Sequence, residues 1–343
     1  MKAIRIKGLG QAAIEDAPIP HLREDYILVK TRAVAINPAD WKMIDYAASP
    51  GQNAGFDYSG VVVKAGSLVQ DRFQPGDRVA GFVHGCNALN HEDGAFAEYL
   101  TAKGDVQIKI PDTVSFETAA TLGAGVLTAG QSLYQSLGLP LPKSEATDKS
   151  VLIYGGSSAT GSLAIQFAKL SGFQVITTCS PAHEDWLHEL GADHIFDYKS
   201  PTCVSDIRTV THNELSYSLD TIGTKDTAKI CCDAMGAQEG IFASLAPISE
   251  LSRDDVVNKS NVVFTALGEP MEFGGNEIPA NEVDHAFAIK FIKIVEELLS
   301  QGEFRSHPVN LQQGGLEGVL DGVDKLRKGT VSGVKLVYAI SES

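Results

Sequence analysis

The stretch Gly155-Gly156-Ser157-Ser158-Ala159-Thr160-Gly161 constrains the fold of this chain more than any other. It follows a continuous apolar run, Val151-Leu152-Ile153-Tyr154, and precedes a helical pattern with Leu163, Phe167 and Leu170 at i, i+4 and i+7. A buried strand that turns straight into a helix aims backbone N–H groups outward at the helix start, where a diphosphate can be held. The turn must be tight and the phosphates must come close to the backbone, so small residues are required. Gly155, Gly156 and Gly161 meet that requirement. The middle position of the usual glycine spacing is Ala159 or Ser158, a departure from the fingerprint. The hydroxyls of Ser157, Ser158 and Thr160 add donors in compensation.

The pattern after the turn repeats on schedule. Phe173 to Thr178 reads as a second strand, and a helix with Trp186, Leu187 and Leu190 stops at Gly191. Further strands are expected at His194–Tyr198, Ser218–Asp220, Gly240–Leu245 and Asn261–Phe264. Apolar runs of this kind belong to strands covered on both faces by helices, so a doubly wound parallel sheet is expected. The segment before it has a different texture. Tyr26–Lys30, Gly60–Lys64, Arg78–Val83 and Gly94–Tyr99 are short strand patterns separated by turns such as Pro75-Gly76-Asp77. They suggest a compact, barrel-like β domain. Ser115 is placed to cap a helix carrying Ala119, Ala120 and Leu122, and Pro140–Glu145 reads as a surface loop. Beyond Pro279 a helix is expected over about Ala286–Leu299, with Phe287, Phe291, Ile294 and Leu298 on one face. The tail Ser332–Tyr338 reads as a last strand that could return to the N-terminal domain.

A chain of 343 residues fits two domains. Its net charge of −15 argues against a nucleic-acid partner, because phosphate backbones need a dense cationic face. No segment reaches the roughly 18 apolar residues of a membrane span. The alternating start, Met1-Lys2-Ala3-Ile4-Arg5-Ile6-Lys7, is a strand pattern and not a signal peptide. The end, Ser341-Glu342-Ser343, carries no address. Five cysteines without framework spacing, Cys231 and Cys232 adjacent, fit reduced thiols, and a cytoplasmic location is expected.

Cofactor choice is read at the tip of the second strand, where NAD-binding chains place a carboxylate for the ribose 2′-OH. Here the tip is Cys179-Ser180-Pro181-Ala182-His183. Without a carboxylate there, and with Ser180 able to donate to a 2′-phosphate, NADP is favoured over NAD. His183 is the nearest cationic candidate, with Glu184 and Asp185 opposing it.

Together with Asn37-Pro38-Ala39-Asp40-Trp41-Lys42, Gly55-Phe56-Asp57-Tyr58-Ser59-Gly60 and Pro75-Gly76-Asp77-Arg78-Val79, these stretches resemble the medium-chain dehydrogenase/reductase superfamily. The likeness covers nearly the whole chain. The resemblance implies a GroES-like catalytic domain at 1–118 and 280–343 and a Rossmann NADP-binding domain at 119–279. Zinc-dependent members put Cys near Asn37 and His-Glu where Phe56-Asp57 stand. Those ligands and the four-cysteine lobe are missing, so no metal is expected. Leu127–Tyr134, Cys179-Ser180-Pro181, Gly191–Tyr198, His307-Pro308-Val309 and Gly314–Leu320 resemble most the fungal trans-acting enoyl reductases that serve polyketide synthases.

That likeness implies roles for particular residues. Ala39, Asp40, Trp41 and Lys42 would border the nicotinamide, and Ser157, Ser158, Ala159 and Thr160 the phosphates. Ser180, Pro181, Ala182 and His183, with Tyr198, would hold the adenosine end. Leu245 and Ala246 would lie under the nicotinamide, and Val331 and Ser332 would border the cofactor. The substrate would meet Gly123, Ala124, Gly125, Val126, Leu127, Thr128, Ala129 and Gly130, and also Thr265, Ala266, Leu267, Gly268 and Glu269. Enoyl reduction needs a donor for the charge that develops on the carbonyl oxygen. Lys42 is the first candidate and Thr128 the second. A plain surface lysine and a hydroxyl bonded to its own helix are the competing readings. The expected activity is NADPH-dependent reduction of an α,β-unsaturated thioester on a carrier protein, in secondary metabolism, with a polyketide synthase as partner. Two alternatives remain open: a free-standing quinone or alkenal reductase, and a non-redox member that binds cofactor or polyketide.

Overall fold

In the second half of the chain six strands pair side by side, every one of them parallel to its neighbours. Their spatial order is His194–Asp197, Gln174–Cys179, Ser150–Tyr154, Tyr217–Asp220, Gly240–Ser244 and Val256–Ser260. The chain therefore starts in the middle, works to one edge, then returns to the centre and works to the other. The reversal lies between Ser150–Tyr154 and Tyr217–Asp220, the topological switch point at which open α/β sheets take ligands. The structure, a computed structural model, describes residues 1–273 and 275–340; the closing Ser341-Glu342-Ser343 tail read above lies outside the described residues. Packing divides the chain into two units, Met1–Ala124 with Phe264–Ser343, and Gly125–Val263.

The apolar runs form this sheet because both faces are covered. Val151, Leu152, Ile153 and Tyr154 are all buried. On one face Leu152, Ile176 and Phe242 pack with Ile207, Cys231, Cys232 and Met235. The helix Ala159–Leu170 buries Leu163, Ile165 and Phe167 completely, each worth about 1.5–3 kcal/mol by transfer. Gly191, at φ +105°, stops the helix carrying Trp186 and Leu187. All five cysteines are free and buried.

One strand expected in this region lies elsewhere. Asn261–Phe264 is not a strand: the outer strand is Val256–Ser260, and Val263–Leu267 is a short 3₁₀ helix. An edge strand lying mostly in solvent needs no apolar run, so Val256-Val257-Asn258-Lys259-Ser260 gave little signal. In the apolar run beside it, Val262 is exposed and Phe264 serves packing instead. Phe264 lies against Phe56 and Phe82, with ring centroids 5.6 Å away from each.

The other unit holds a seven-stranded sheet. Its path is Val309–Gln312, Lys335–Ala339, Tyr26–Ala35, Asp57–Ala65, Arg78–Phe82 and Ile108–Lys109, with Tyr99–Lys103 also pairing Tyr26–Ala35. The order is an open path with no pairing that closes it into a ring among the described residues. The tail strand joins this sheet, antiparallel to Tyr26–Ala35. The expected strand at Gly94–Tyr99 begins only at Tyr99. Before it, Ala95 and Phe96 donate to Gly55 and Ala54 while Phe96 accepts from Ile4, so no single ladder forms. The late helix runs Glu282–Gln301, longer than expected, because Asn281 caps it and Gly302 ends it at φ +69°. Its buried face is Ala288, Phe291, Ile292, Val295, Leu298 and Leu299, while Phe287 and Ile294 lie at the margin. No helix among the described residues is long and apolar enough to cross a membrane.

Candidate active site

The parallel strands of the second unit put all their carboxyl ends on one edge, and that edge collects the turn read first in the sequence. Gly155 takes φ +80°, which a side chain disfavours. Its N–H donates to Thr178 Oγ1 at 3.1 Å, and Gly156 N–H donates to Thr178 O at 3.0 Å. A Cβ on Gly156 would lie 2.1 Å from Thr177 Oγ1, and one on Gly161 would lie 2.3 Å from Gly155 O. The glycines are thus required by packing of the turn onto its own strands as well as by any ligand.

Ser158 is the N-cap of the helix Ala159–Leu170. Its Oγ accepts from Gly161 N–H at 3.0 Å and lies 2.8 Å from Thr221 Oγ1 across the switch point. Thr221 in turn donates to Tyr154 O at 2.8 Å. With Gly161 capped and Ser162 N–H bonded to Ser158 O, the amides of Ala159 and Thr160 are the ones at the open helix start. Ser157, Ser158, Ala159 and Thr160 are all half-buried, at a surface of the unit. The donor chemistry and the absence of room for side chains fit a dinucleotide's diphosphate.

The other expected cofactor residues of this unit lie on the same edge. Ser180 precedes the 3₁₀ turn Pro181–His183 at the end of Gln174–Cys179, and the His183 ring lies edge-on to Trp186, 6.4 Å between centroids. Tyr198 follows His194–Asp197, is 39% exposed, and meets Tyr154 edge-on at 6.4 Å. Lys199, passed over in the sequence, brings its ammonium to 5.6 Å from the Tyr198 ring centre. Its place directly after Tyr198 was the available signal. Glu184 and Asp197 both act on the Cys179 thiol, which burial first and then these charges raise to about 11. Leu245 and Ala246 end the Gly240–Ser244 strand; Leu245 N–H donates to Asp220 O at 3.2 Å and Ser244 Oγ to Ala246 O at 2.6 Å. Asp220 is buried, and it accepts from Ile222 N–H, Gly223 N–H and Thr227 Oγ1. Burial raises its carboxyl above the usual range, and those bonds pull it down.

In the helix Gly123–Gly130, Val126, Leu127 and Ala129 are buried, and only Ala124 and Thr128 are half-exposed. At i and i+4 they share one face. Thr128 therefore stands on the accessible stripe of an otherwise core helix.

In the first unit the helix Pro38–Tyr46 carries Ala39, Asp40, Trp41 and Lys42. Ala39 and Lys42 are exposed, and the Lys42 ammonium is 5.8 Å from the Trp41 ring centre. Asp40 is different: it is 1% exposed, and Asn37 N–H donates to its Oδ2 at 2.6 Å. Burial pushes its carboxyl well above the usual carboxylate range, and the Asp57 charge adds to this, while Asn37, Lys335 and Phe56 oppose it. Within the stretch Thr265–Glu269, Ala266 and Leu267 are buried. His285 holds the stretch from behind, with Nδ1 3.0 Å from Ala266 O and Nε2 3.0 Å from Asp105 Oδ2. Glu269 lies 3.6 Å from Lys103 and 3.9 Å from Arg23. Val331 is half-buried and Ser332 exposed.

Sequence reasoning missed a buried ion pair of this unit. Asp57 is completely buried and forms an ion pair with Lys335, itself 3% exposed. No periodicity argument points to a buried lysine, since lysine is almost never buried unless paired. A catalytic zinc does not fit here. Phe56 stacks on Phe82 at 6.1 Å, Asp57 is taken by Lys335, and no group of three His, Cys, Asp or Glu among the described residues could hold a metal.

Comparison with known proteins agrees with this fold. The family model for an alcohol dehydrogenase GroES-like domain matches residues 23–112, and that for a zinc-binding dehydrogenase matches residues 159–267. The trans-enoyl reductase ACTTS2 of Alternaria alternata is 47% identical over 99% of this chain and 98% of its own length. The trans-enoyl reductase caaB of Aspergillus niger is 44% identical over 98% of this chain and 96% of its own. Among solved structures, a quinone oxidoreductase from Coxiella burnetii superposes with a TM-score of 0.75 at 25% identity, covering 99% of both chains. The CurK enoyl reductase superposes at 0.77 with 17% identity over 99% of both, a likeness of fold.

Proposed function

Because this chain belongs to the medium-chain dehydrogenase/reductase superfamily and, within it, to the fungal trans-enoyl reductases, we propose that it reduces the C=C bond of an α,β-unsaturated thioester with NADPH. In this reading the thioester is presented on a carrier protein by a polyketide synthase of secondary metabolism, in the cytoplasm. The single observation that carries the reading is the capped glycine turn at the switch point, whose open amides and lack of side-chain space suit a diphosphate.

When bound, NADPH would supply a hydride from C4 to the β-carbon of the substrate, and water or a side chain would supply the proton that the α-carbon takes. The chain holds the diphosphate on the amides of Ala159 and Thr160 and on nearby hydroxyls. Ser180, Tyr198 and Lys199 receive the 2′-phosphate end, and the Lys199 ammonium supplies the charge that His183 alone would not. Lys42 and Thr128 are the candidate donors to the thioester oxygen, where negative charge develops. Both are accessible: Lys42 is exposed, and Thr128 lies on the accessible stripe of its helix.

Purified protein is assayed for NADPH and NADH oxidation with an enoyl thioester and, separately, with a quinone. Faster turnover of the thioester with NADPH supports the reading. Turnover of quinone alone would favour a free-standing quinone reductase, a possibility kept by the full-length likeness to such an enzyme. NADPH binding with no turnover of either would mark a non-redox member.

A further inference from the structure

Two helix starts in the first unit rest on the same pair of buried charges. The Lys335 ammonium donates to Asp57 Oδ2, to Asn37 Oδ1 at 2.9 Å and toward Thr121 O at 3.5 Å. Asp57 Oδ1 accepts from Ala124 N–H at 2.6 Å. Asn37 caps the helix Pro38–Tyr46, and Ala124 lies in the first turn of the helix Gly123–Gly130. The contact is close enough to dictate sequence. A Cβ on Gly123 would stand 2.4 Å from Asp57 Oδ1 and 2.3 Å from Gly81 O. Lys335 itself is fixed from behind, its N–H donating to Pro308 O at 2.8 Å.

Stability alone is a weak reason for such an arrangement. Desolvating two charges costs about what their attraction returns, and apolar replacements of the same volume are often no worse. What the pair does supply is direction. One ammonium and one carboxylate, each with several partners, allow a single register of the two helix starts. Asp40 lies within the reach of both charges, so the pair also influences the buried carboxyl between Ala39 and Trp41.

We propose that Lys335 and Asp57 are positioning residues of the reductase, setting the helix starts from which Lys42 and Thr128 are carried. The proposal rests on the enoyl reductase reading. Neither residue touches the reacting atoms; both act through the backbone they hold.

The test uses the full chain with Asp57→Asn and Lys335→Met combined, which removes both charges and keeps an acceptor for Ala124. Lys335→Arg and Asn37→Ala are made alongside, since they leave the carboxylate paired if the double variant does not fold. The readouts are kcat and KM for an enoyl thioester, the NADPH dissociation constant, the isotope effect with 4-deuterated NADPH, and Tm. Expected for the double variant is a kcat lowered roughly 10- to 100-fold, since displacement of positioning groups by about 1 Å costs on that order. KM and NADPH affinity stay within about threefold, and the isotope effect rises as hydride transfer limits turnover. Lys335→Arg retains more activity than the double variant, and Asn37→Ala loses about three- to tenfold. Wild-type kcat in a folded double variant overturns the proposal. So does a loss of rate that follows Tm and active fraction alone, or unchanged kcat in Asn37→Ala when the double variant is unfolded. Wild-type protein that binds NADPH but turns over no thioester sinks the enoyl reductase reading first, and this proposal with it.

Discussion

Gly161→Ala puts one carbon into the turn on which the cofactor reading depends. The added Cβ would stand 2.3 Å from Gly155 O, 2.9 Å from Ser158 Oγ and 3.0 Å from Gly156 Cα. Two of these neighbours are backbone and the third is the helix cap, so nothing nearby can swing aside. Overpacking costs about 1–3 kcal/mol, and rigid neighbours place this site at the upper end. Against it stands the helix preference of alanine over glycine, about 1 kcal/mol. Strain wins by about 2 kcal/mol, and if it is released by opening the turn, NADPH affinity falls roughly 30-fold. Gly125→Ala is the matched comparison, because a Cβ there meets only Leu163 Cδ1, at 3.0 Å, the end of a flexible side chain. In that variant the propensity gain of up to about 1 kcal/mol survives. Fluorescence titration with NADPH and urea melts read both quantities. If Gly161→Ala binds NADPH within about twofold of wild type and is no less stable than Gly125→Ala, the turn is not the tight cradle described here.

Three other outcomes follow from the same geometry. Ser158→Ala removes the cap on Gly161 and the contact with Thr221, and should cost about 1 kcal/mol in a urea melt together with a weaker hold on NADPH. His84 is buried and stacked on Phe264 with 4.1 Å between ring centroids, and burial lowers its pKa from 6.5 to about 4. A depressed base is neutral in the fold while the unfolded chain takes up the proton, so stability falls as pH drops from 6.5 toward 4. His84→Phe removes that loss, and its stability relative to wild type should rise by about 2 kcal/mol between about pH 7 and about pH 5; an unchanged difference would refute the shift. Incubation with a chelator should leave thioester reduction unaltered, since Phe56 and Asp57 are committed to packing and to Lys335; inhibition reversed by zinc would contradict this.

What the sequence made legible was set by how local the physics was. The turn at Gly155–Gly161, the Ser115 cap and the apolar strands that precede helices depend on neighbours a few residues away, and they lie where their patterns put them. Val256–Ser260 was missed because an edge strand exposes its side chains and needs no apolar signature. Asn261–Phe264 was misread for the converse reason: an apolar run whose Phe264 packs against Phe56 and Phe82 looks, locally, like a strand buried on both faces.

The site shows the same division more sharply. Lys199 is readable as the residue directly beyond Tyr198, while the tip of the second strand offers only His183 as a cation. Lys335 and Asp57 were not readable in that way, because 278 residues separate them and each alone looks like an ordinary surface charge. Their burial follows from topology: the tail strand returns beside Tyr26–Ala35 at Ala33–Ala35, the same residues that pair with the Asp57 end of Asp57–Ala65. The sequence does record the result at one remove. Gly123 has no room for a side chain because Asp57 and Gly81 occupy it, so the glycine that opens the Thr128 helix is the local trace of a distant ion pair. A glycine at a helix start that no turn geometry demands is therefore evidence of a close neighbour, and here that neighbour is a charge.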